Sequence, residues 1–427
     1  MAYSMRLHST WTGLALLALM TTSAFTQAVE PVRSLAAREK PALLDTLKAL
    51  VSIESGSRDV EGLGKVADLV AERLRGLGGQ VELVEPSNIY KMEDTPERIG
   101  KMVRATFTGT GSKKILLIAH MDTVYQRGML EKQPFRIDGD RAYGLGIADD
   151  KQGVALILHT VAMLKALDFK SFGTLTVLIN ADEELSSPGS RSLLTKLGAE
   201  HDATFSVEGS RVESDKLALA TAGIASFTLN VEGRASHAGS APERGVNAIY
   251  ELAHQMLQTR NLSDPETGLK MNWTMANGGR TRNMIPPSAQ AQADVRVLKI
   301  EDYAGIEKTV RERIKTKLLP DSKVDVIFEK RRPPLEATPA SRSLAKHAQQ
   351  IYREIGKELV VDEVAEGGGT DAAFAALETK APVIERFGLQ GYGAHSIEAE
   401  YVLISSIEPR LYLLTRLIMD VAEGKAK

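Results

Sequence analysis

Ile115-Leu116-Leu117-Ile118-Ala119-His120-Met121-Asp122 is the stretch that decides the fold. An apolar run this short is too brief for an ordinary helix and suits a strand buried on both faces. It ends abruptly on groups that bind metals or protons. The pattern recurs twice. Residues 174–179, Thr-Leu-Thr-Val-Leu-Ile, run toward Asp182-Glu183-Glu184, and residues 203–207, Ala-Thr-Phe-Ser-Val, run into Glu208. A helical pattern at residues 154–167 separates the first two. Strands alternating with helices predict an α/β domain with a largely parallel sheet. Ligands of such sheets bind beyond the carboxyl ends of the strands. Three polar strand ends therefore point to one site.

Outward from these strands the pattern changes twice. Residues 38–79 carry apolar side chains at helical spacing, as in Leu43, Leu44, Leu47 and Val66, Leu69, Val70, Leu74. After Thr221 come an alternating strand (225–231), a helix (246–260), two strands (269–275 and 289–298), a helix (302–319) and a strand (323–328). That β-α-β-β-α-β order predicts a ferredoxin-like α+β domain. Pro333-Pro334 marks a linker, and a further strand is expected near residues 382–385. The predicted organisation is a catalytic domain in two parts, 29–221 and 334–427, with an inserted domain at 222–333. Residues 1–28 read as a signal peptide: Arg6 and His8, an apolar run at 12–20, then Thr26-Gln27-Ala28 as a cleavage site. The alternative is a buried N-terminal helix. The leader directs the mature chain to the periplasm or the exterior.

Composition narrows the chemistry. The 427 residues include no cysteine, which removes disulfides, thiolate ligands and thiol nucleophiles together. Any zinc-type site must use His, Asp and Glu. A net charge of −2 and the lack of a basic patch argue against a nucleic-acid partner.

His120 and Asp122 lie two apart on an extended segment and share a face. His120 can bind zinc through one ring nitrogen while Asp122 orients the ring; an ordinary strand-end hydrogen bond is the plainer alternative. Asp149-Asp150 follows the turn Tyr143-Gly-Leu-Gly146. A carboxylate there could bridge two metals, or simply start the following helix. Glu183-Glu184 could divide metal binding from proton transfer, or form a solvated acidic turn.

His120-Met-Asp-Thr-Val124, Gly144-Leu-Gly-Ile-Ala-Asp-Asp-Lys151, Asn180-Ala-Asp-Glu-Glu184 and Ala235-Ser-His-Ala-Gly239 together resemble the M20 metallopeptidases. Among them the likeness is strongest to the bacterial glutamate carboxypeptidases that cleave folates and their analogues. The resemblance implies two zinc ions per subunit, with Asp149 bridging. His120 and Glu208 would complete one metal site, Glu184 and His395 the other. Glu183 would be the general base that activates the water held by the metals, and Asp122 the carboxylate behind His120. The Asp149–Asp150 peptide would be cis. His237 would stabilise the oxyanion in a neighbouring subunit, which implies a homodimer and a hinge. Asn283, Arg296 and Arg332 would hold the substrate. No membrane association is expected after leader cleavage.

Gly367-Gly-Gly-Thr-Asp371 offers backbone N–H groups beside a helix start, a second way to hold a carboxylate. Arg280, Arg282 and Arg331 are expected to add charge near the pocket. Glu208 is followed by Gly-Ser-Arg rather than proline. The other histidines outside the leader, His159, His201, His254 and His347, are expected to be structural. The expected reaction is hydrolysis of the amide to a C-terminal glutamate. Other readings are an aminoacylase, deacetylase or dipeptidase with the same metal set, or a non-catalytic binding protein on the same fold.

Overall fold

The computed structural model describes residue 1 and residues 27–365, 368–396 and 399–426. The expected leader falls mostly on residues 2–26, outside the described residues.

The central sheet has six strands in the order Gln80–Val84, Met102–Thr108, Thr174–Asn180, Lys114–His120, Ala203–Ser206, Val383–Ile384. The last four are mutually parallel, and the first two form an antiparallel edge. Alternate side chains of the decisive strand serve two cores. Ile115 and Leu117 pack with helices Val32–Val51, Gln152–Ala166 and Ile407–Ala422. Leu116 and Ile118 pack on the other face with Leu194, Leu197 and Phe374. Burial on both sides explains the unbroken apolar run, and each such side chain contributes roughly 1.5–3 kcal/mol. Helix Gln152–Ala166 is buried nearly all round, which suits its uninterrupted apolar sequence.

Register brings the strand ends level. His120 pairs with Asn180, and Ile118 with Ser206. The segments carrying Asp122, Glu183, Glu184 and Glu208 therefore leave the sheet along one edge.

The second sheet is wholly antiparallel, ordered Lys270–Gly278, Ser288–Val297, Gly223–Glu232, Lys323–Arg332. Ala225, Phe227, Leu229 and Val231 point inward with Ala289, Ala291 and Ala293. Helices Ala248–Thr259 and Asp302–Arg313 contribute Leu252, Ile306 and Val310 to the same core. This strand order is the ferredoxin-like arrangement expected from the sequence. The helix expected over 302–319 ends at Arg313. Buried Glu251 captures the Leu318 and Leu319 N–H groups at 3.2 and 2.7 Å, and Pro320 follows, so the backbone is drawn into a turn. The chain leaves and re-enters the larger unit at one point, where Thr221 and Leu335 exchange both backbone hydrogen bonds, at 3.0 and 3.1 Å.

A third, five-stranded sheet was not anticipated. Its strands are two or three residues each, too short for a readable periodicity: Arg136–Asp138, Arg141–Tyr143, Tyr401–Leu403, Gln390–Tyr392 and Ser210–Arg211. It carries the loop of His395. No helix among the described residues is long and apolar enough to cross a membrane.

Candidate metal centre

His120 sits at its strand end with 1% of its surface exposed. Its Nδ1 faces the Asp122 backbone oxygen at 3.0 Å and Asp122 Oδ1 at 3.3 Å. Its Nε2 faces Asp149 Oδ1 at 3.0 Å and Glu208 Oε1 at 3.2 Å. A ring proton committed to Asp122 leaves Nε2 as the donor atom toward a cation.

Asp122 does more than hold the ring. Its Oδ1 accepts from the Glu183 N–H and its Oδ2 from the Glu184 N–H, each at 3.1 Å, while Ser57 Oγ donates to Oδ2 at 2.7 Å. One buried carboxylate thus ties the His120 strand to the acidic turn.

Asp149 offers its two oxygens in two directions, Oδ1 to His120 and Oδ2 to His395 Nε2 at 3.3 Å. His395 Nε2 also meets Glu184 Oε2 at 3.1 Å. Glu184 Oε1 is buried with no hydrogen-bond partner. Two triads result, His120–Asp149–Glu208 and His395–Asp149–Glu184. Two groups have ligand atoms mutually within 4.8 Å, Asp149–Glu184–His395 and His120–Asp150–Glu208. Asp149 also approaches the second group, with Oδ1 3.0 Å from His120 Nε2. Asp150 Oδ1 accepts from Gln152 Nε2 at 2.6 Å and from the Gly153 N–H at 3.2 Å, while its Oδ2 faces the His120 N–H at 3.5 Å. The Asp149–Asp150 peptide is cis. Gly153 is required behind it, because a Cβ there would lie 2.3 Å from the Val207 oxygen and 2.5 Å from Asp150 Oδ1.

Proton affinities follow the geometry. Burial opposes ionisation of Asp149, yet hydrogen bonds from His120 and His395 hold it well below the usual carboxylate range. Hydrogen bonds donated to Asp149 and Glu184 push His395 up to about 11. Burial, then the charge of Asp149, pushes Glu184 up to about 7. Burial raises Glu183 well above its ordinary value despite the opposing charge of Arg332. Carboxylates crowded around shared imidazole protons, with one oxygen left unpartnered, form a donor set that fits divalent cations bound through nitrogen and oxygen.

Asp149, Glu183, Glu184, Glu208 and His395 line a cavity of about 710 Å³ that also reaches Arg296, Gly368, Gly369, Arg386 and Tyr392. Arg332 lies in its wall, but its guanidinium is engaged with Glu183 Oε1 at 2.8 Å and Asp371 Oδ1 at 3.3 Å. Arg296 pairs with Asp294 at 2.9 and 3.0 Å. His237 and Asn283 do not line this cavity. They are neighbours on exposed loops of the second sheet, joined by the Ala238 N–H and the Asn283 oxygen at 2.9 Å. His237 Nδ1 accepts from the Gly239 and Ser240 N–H groups, both at 3.1 Å, which leaves Nε2–H pointing outward as a donor. Arg280, Arg282 and Arg331 are likewise absent from the cavity. The first two are exposed, and Arg331 is held by Asp94 at 2.8 Å and Glu329 at 2.7 Å.

Asp182 is turned away from the centre, accepting from Gly189 N–H at 2.6 Å and Ser190 Oγ at 2.6 Å. Among the described residues the remaining histidines make contacts away from the centre: His159 meets Thr46 and Glu39, His201 meets Leu197 and Thr176, His347 meets Asp420, and His254 meets Thr316.

One functional carboxylate escaped the sequence reading. Glu400 is fully buried and accepts from Gly146 N–H at 3.0 Å, Ala148 N–H at 2.9 Å and Asp149 N–H at 3.3 Å. Tyr125 OH donates to it at 2.5 Å. It fixes the turn that presents Asp149. Gly146 permits that turn, with φ of 68°. Burial pushes Glu400 up to about 7.

Comparison with known proteins follows the same lines. The model of peptidase family M20/M25/M40 matches residues 116–420. Carboxypeptidase G2 of Pseudomonas sp. (strain RS-16) is 45% identical over 387 residues, 91% of each chain. Acetylornithine deacetylase of Photorhabdus laumondii subsp. laumondii is 28% identical over 266 residues, 58% of this chain and 65% of that one. The fold is also that of aminopeptidase PepT from Bacillus cereus, with a TM-score of 0.73 at 21% identity, covering 90% of this chain and 99% of that one.

Proposed function

Since the chain belongs to peptidase family M20/M25/M40 and is therefore a metallopeptidase, we propose that it is a two-zinc carboxypeptidase releasing C-terminal glutamate from N-acyl glutamates, folates and peptides. The observation that carries the reading is Asp149, whose two oxygens are divided between His120 and His395. His120, Asp149 and Glu208 would hold one zinc, and Glu184, Asp149 and His395 the other. Zinc bound there supplies Lewis acidity, polarising the scissile carbonyl and acidifying water.

The chain's own groups carry the remaining steps. Glu183 takes a proton from the attacking water and delivers it to the leaving amine nitrogen. Asp122 keeps the His120 ring and the Glu183-Glu184 turn in register. His237, with Nε2–H outward, donates to the developing oxyanion of a partner subunit, which makes the working form a homodimer. Asn283 would reach the substrate by the same route. Arg296 and Arg332 stand ready for the substrate once their present acidic partners are exchanged for it. The span 222–333 acts as the dimerisation and lid domain between two catalytic parts, 29–221 and 334–427. The leader at 1–28 sends the mature enzyme to the periplasm or outside the cell.

The likeness to an acetylornithine deacetylase favours one second reading, an acyl amino acid deacylase of the same mechanism. A panel of N-acyl glutamate, N-acetylornithine and dipeptides separates the two. Preferential glutamate release is expected, and preferential deacetylation would replace the first reading with the second.

A further inference from the structure

Strand Val383–Ile384 ends the parallel side of the central sheet, and the chain continues into Glu385 and Arg386. Arg386 has φ of 71°, a left-handed conformation that costs a non-glycine residue free energy. The surroundings hold it there. Arg410 Nη1 donates to the Arg386 oxygen at 2.9 Å, and the Phe387 N–H donates to the Ser206 oxygen at 3.1 Å. Glu385 and Phe387 on either side are buried, whereas Arg386 lines the metal-centre cavity. The unusual backbone therefore turns one side chain out of the core and into the site.

The guanidinium makes a single hydrogen bond among the described residues, from Nη1 to the Gly209 oxygen at 3.0 Å. Gly209 directly follows Glu208, so the cation is anchored beside the metal donors. Arg332 and Arg296 in the same cavity each hold a carboxylate already, Arg332 between Glu183 and Asp371 and Arg296 on Asp294. A guanidinium carries five N–H donors in a planar fork that matches a carboxylate. Arg386 spends one of them. Thr370 Oγ1 donates to Glu385 Oε2 at 2.6 Å, which brings the Gly368–Gly369–Thr370 loop against the same wall. The wall thus brings the loop and the Arg386 guanidinium to one cavity.

We propose that Arg386 is a specificity determinant that binds the side-chain carboxylate of an acidic C-terminal residue. This rests on the carboxypeptidase reading above. Arg386 has no part in bond cleavage; its fork pairs with the substrate anion while the Gly209 carbonyl keeps it in place.

The test compares wild type, Arg386→Met and Arg386→Lys, each loaded with zinc and checked for metal content and melting temperature. Substrates are an N-acyl glutamate and the matching N-acyl glutamine. Arg386→Met is expected to lose about 10- to 100-fold in kcat/KM for the glutamate substrate, mainly through KM. The glutamine substrate should change far less, and Arg386→Lys should recover part of the loss. Equal losses on both substrates, or no loss, would overturn the proposal. Calorimetric binding of free L-glutamate and L-glutamine to the same proteins separates this from the functional reading. If wild type releases no glutamate yet binds it more tightly than Arg386→Met does, the carboxypeptidase reading fails and the role of Arg386 stands. If wild type and Arg386→Met bind glutamate equally, the role of Arg386 fails whatever the turnover.

Discussion

The edge of the parallel sheet and the loops of the antiparallel sheet carry functional residues in opposite states. At the parallel edge, His120, Asp122 and Glu183 are buried, and Asp122 joins the other two at 3.0–3.3 Å. On the antiparallel domain, His237 and Asn283 are exposed, and their side chains touch none of the metal donors. The first region is assembled by folding, because strand register alone brings its segments level. On the function proposed above, the second acts only once a partner subunit or a domain movement brings it to a site. On that reading, preorganised charge at the sheet edge and an oxyanion donor on an exposed loop divide the work between rigidity and access.

The sharpest way to probe the assembled half is Glu183→Gln. It should retain metal, because Glu183 is outside both triads, and lower kcat by about 10²- to 10⁴-fold. Metal analysis with steady-state kinetics checks it. Activity near wild type would remove Glu183 from the base role. The unassembled half is probed by His237→Ala, with an expected loss of about 10²- to 10³-fold in kcat and unchanged metal content. Mixing inactive Glu183→Gln and His237→Ala subunits should restore part of the activity, since one site of the mixed dimer would hold both intact groups. Failure to complement under conditions where subunits exchange would break the comparison.

A smaller effect is expected from Glu400→Gln. The amide would turn a donor toward either the Gly146 N–H and Tyr125 OH or the Ala148 and Asp149 N–H groups, loosening the turn of Asp149. Zinc affinity should fall about 10- to 100-fold, measured by competition with a chelator. The smallest effect belongs to histidines away from both regions. Burial lowers the proton affinity of His159 and of His201. The unfolded chain then binds more protons than the native one below its ordinary histidine pKa of about 6.5. Stability contributed by keeping these rings neutral is present above that pH and lost as pH falls through the folded values. Denaturant melts of His201→Gln between pH 7 and pH 5 should show a shallower decline than wild type.

Much of this division was legible in the sequence. The three apolar strands announced both the parallel sheet and the edge on which ligands gather, because burial on two faces leaves an unbroken apolar run. Alternation at 225–231 likewise exposed the antiparallel domain. The antiparallel edge strands Gln80–Val84 and Met102–Thr108 did not stand out, since their partly exposed residues mix polar and apolar types. Glu400 was invisible for another reason. It follows no apolar run and serves backbone groups more than 250 positions away, so its role exists only in three dimensions. The pairing of Arg332 with Glu183 and Asp371 was hidden in the same way: the sequence supplies the charge, and the fold chooses its partner.

The most direct test of the central claim is to titrate zinc into metal-free protein while following glutamate release from an N-acyl glutamate. The account predicts no release without metal and a rise that saturates near two zinc ions per chain, about the number a bridging carboxylate serves. Release that survives complete metal removal, or full activity at one ion per chain, would contradict it.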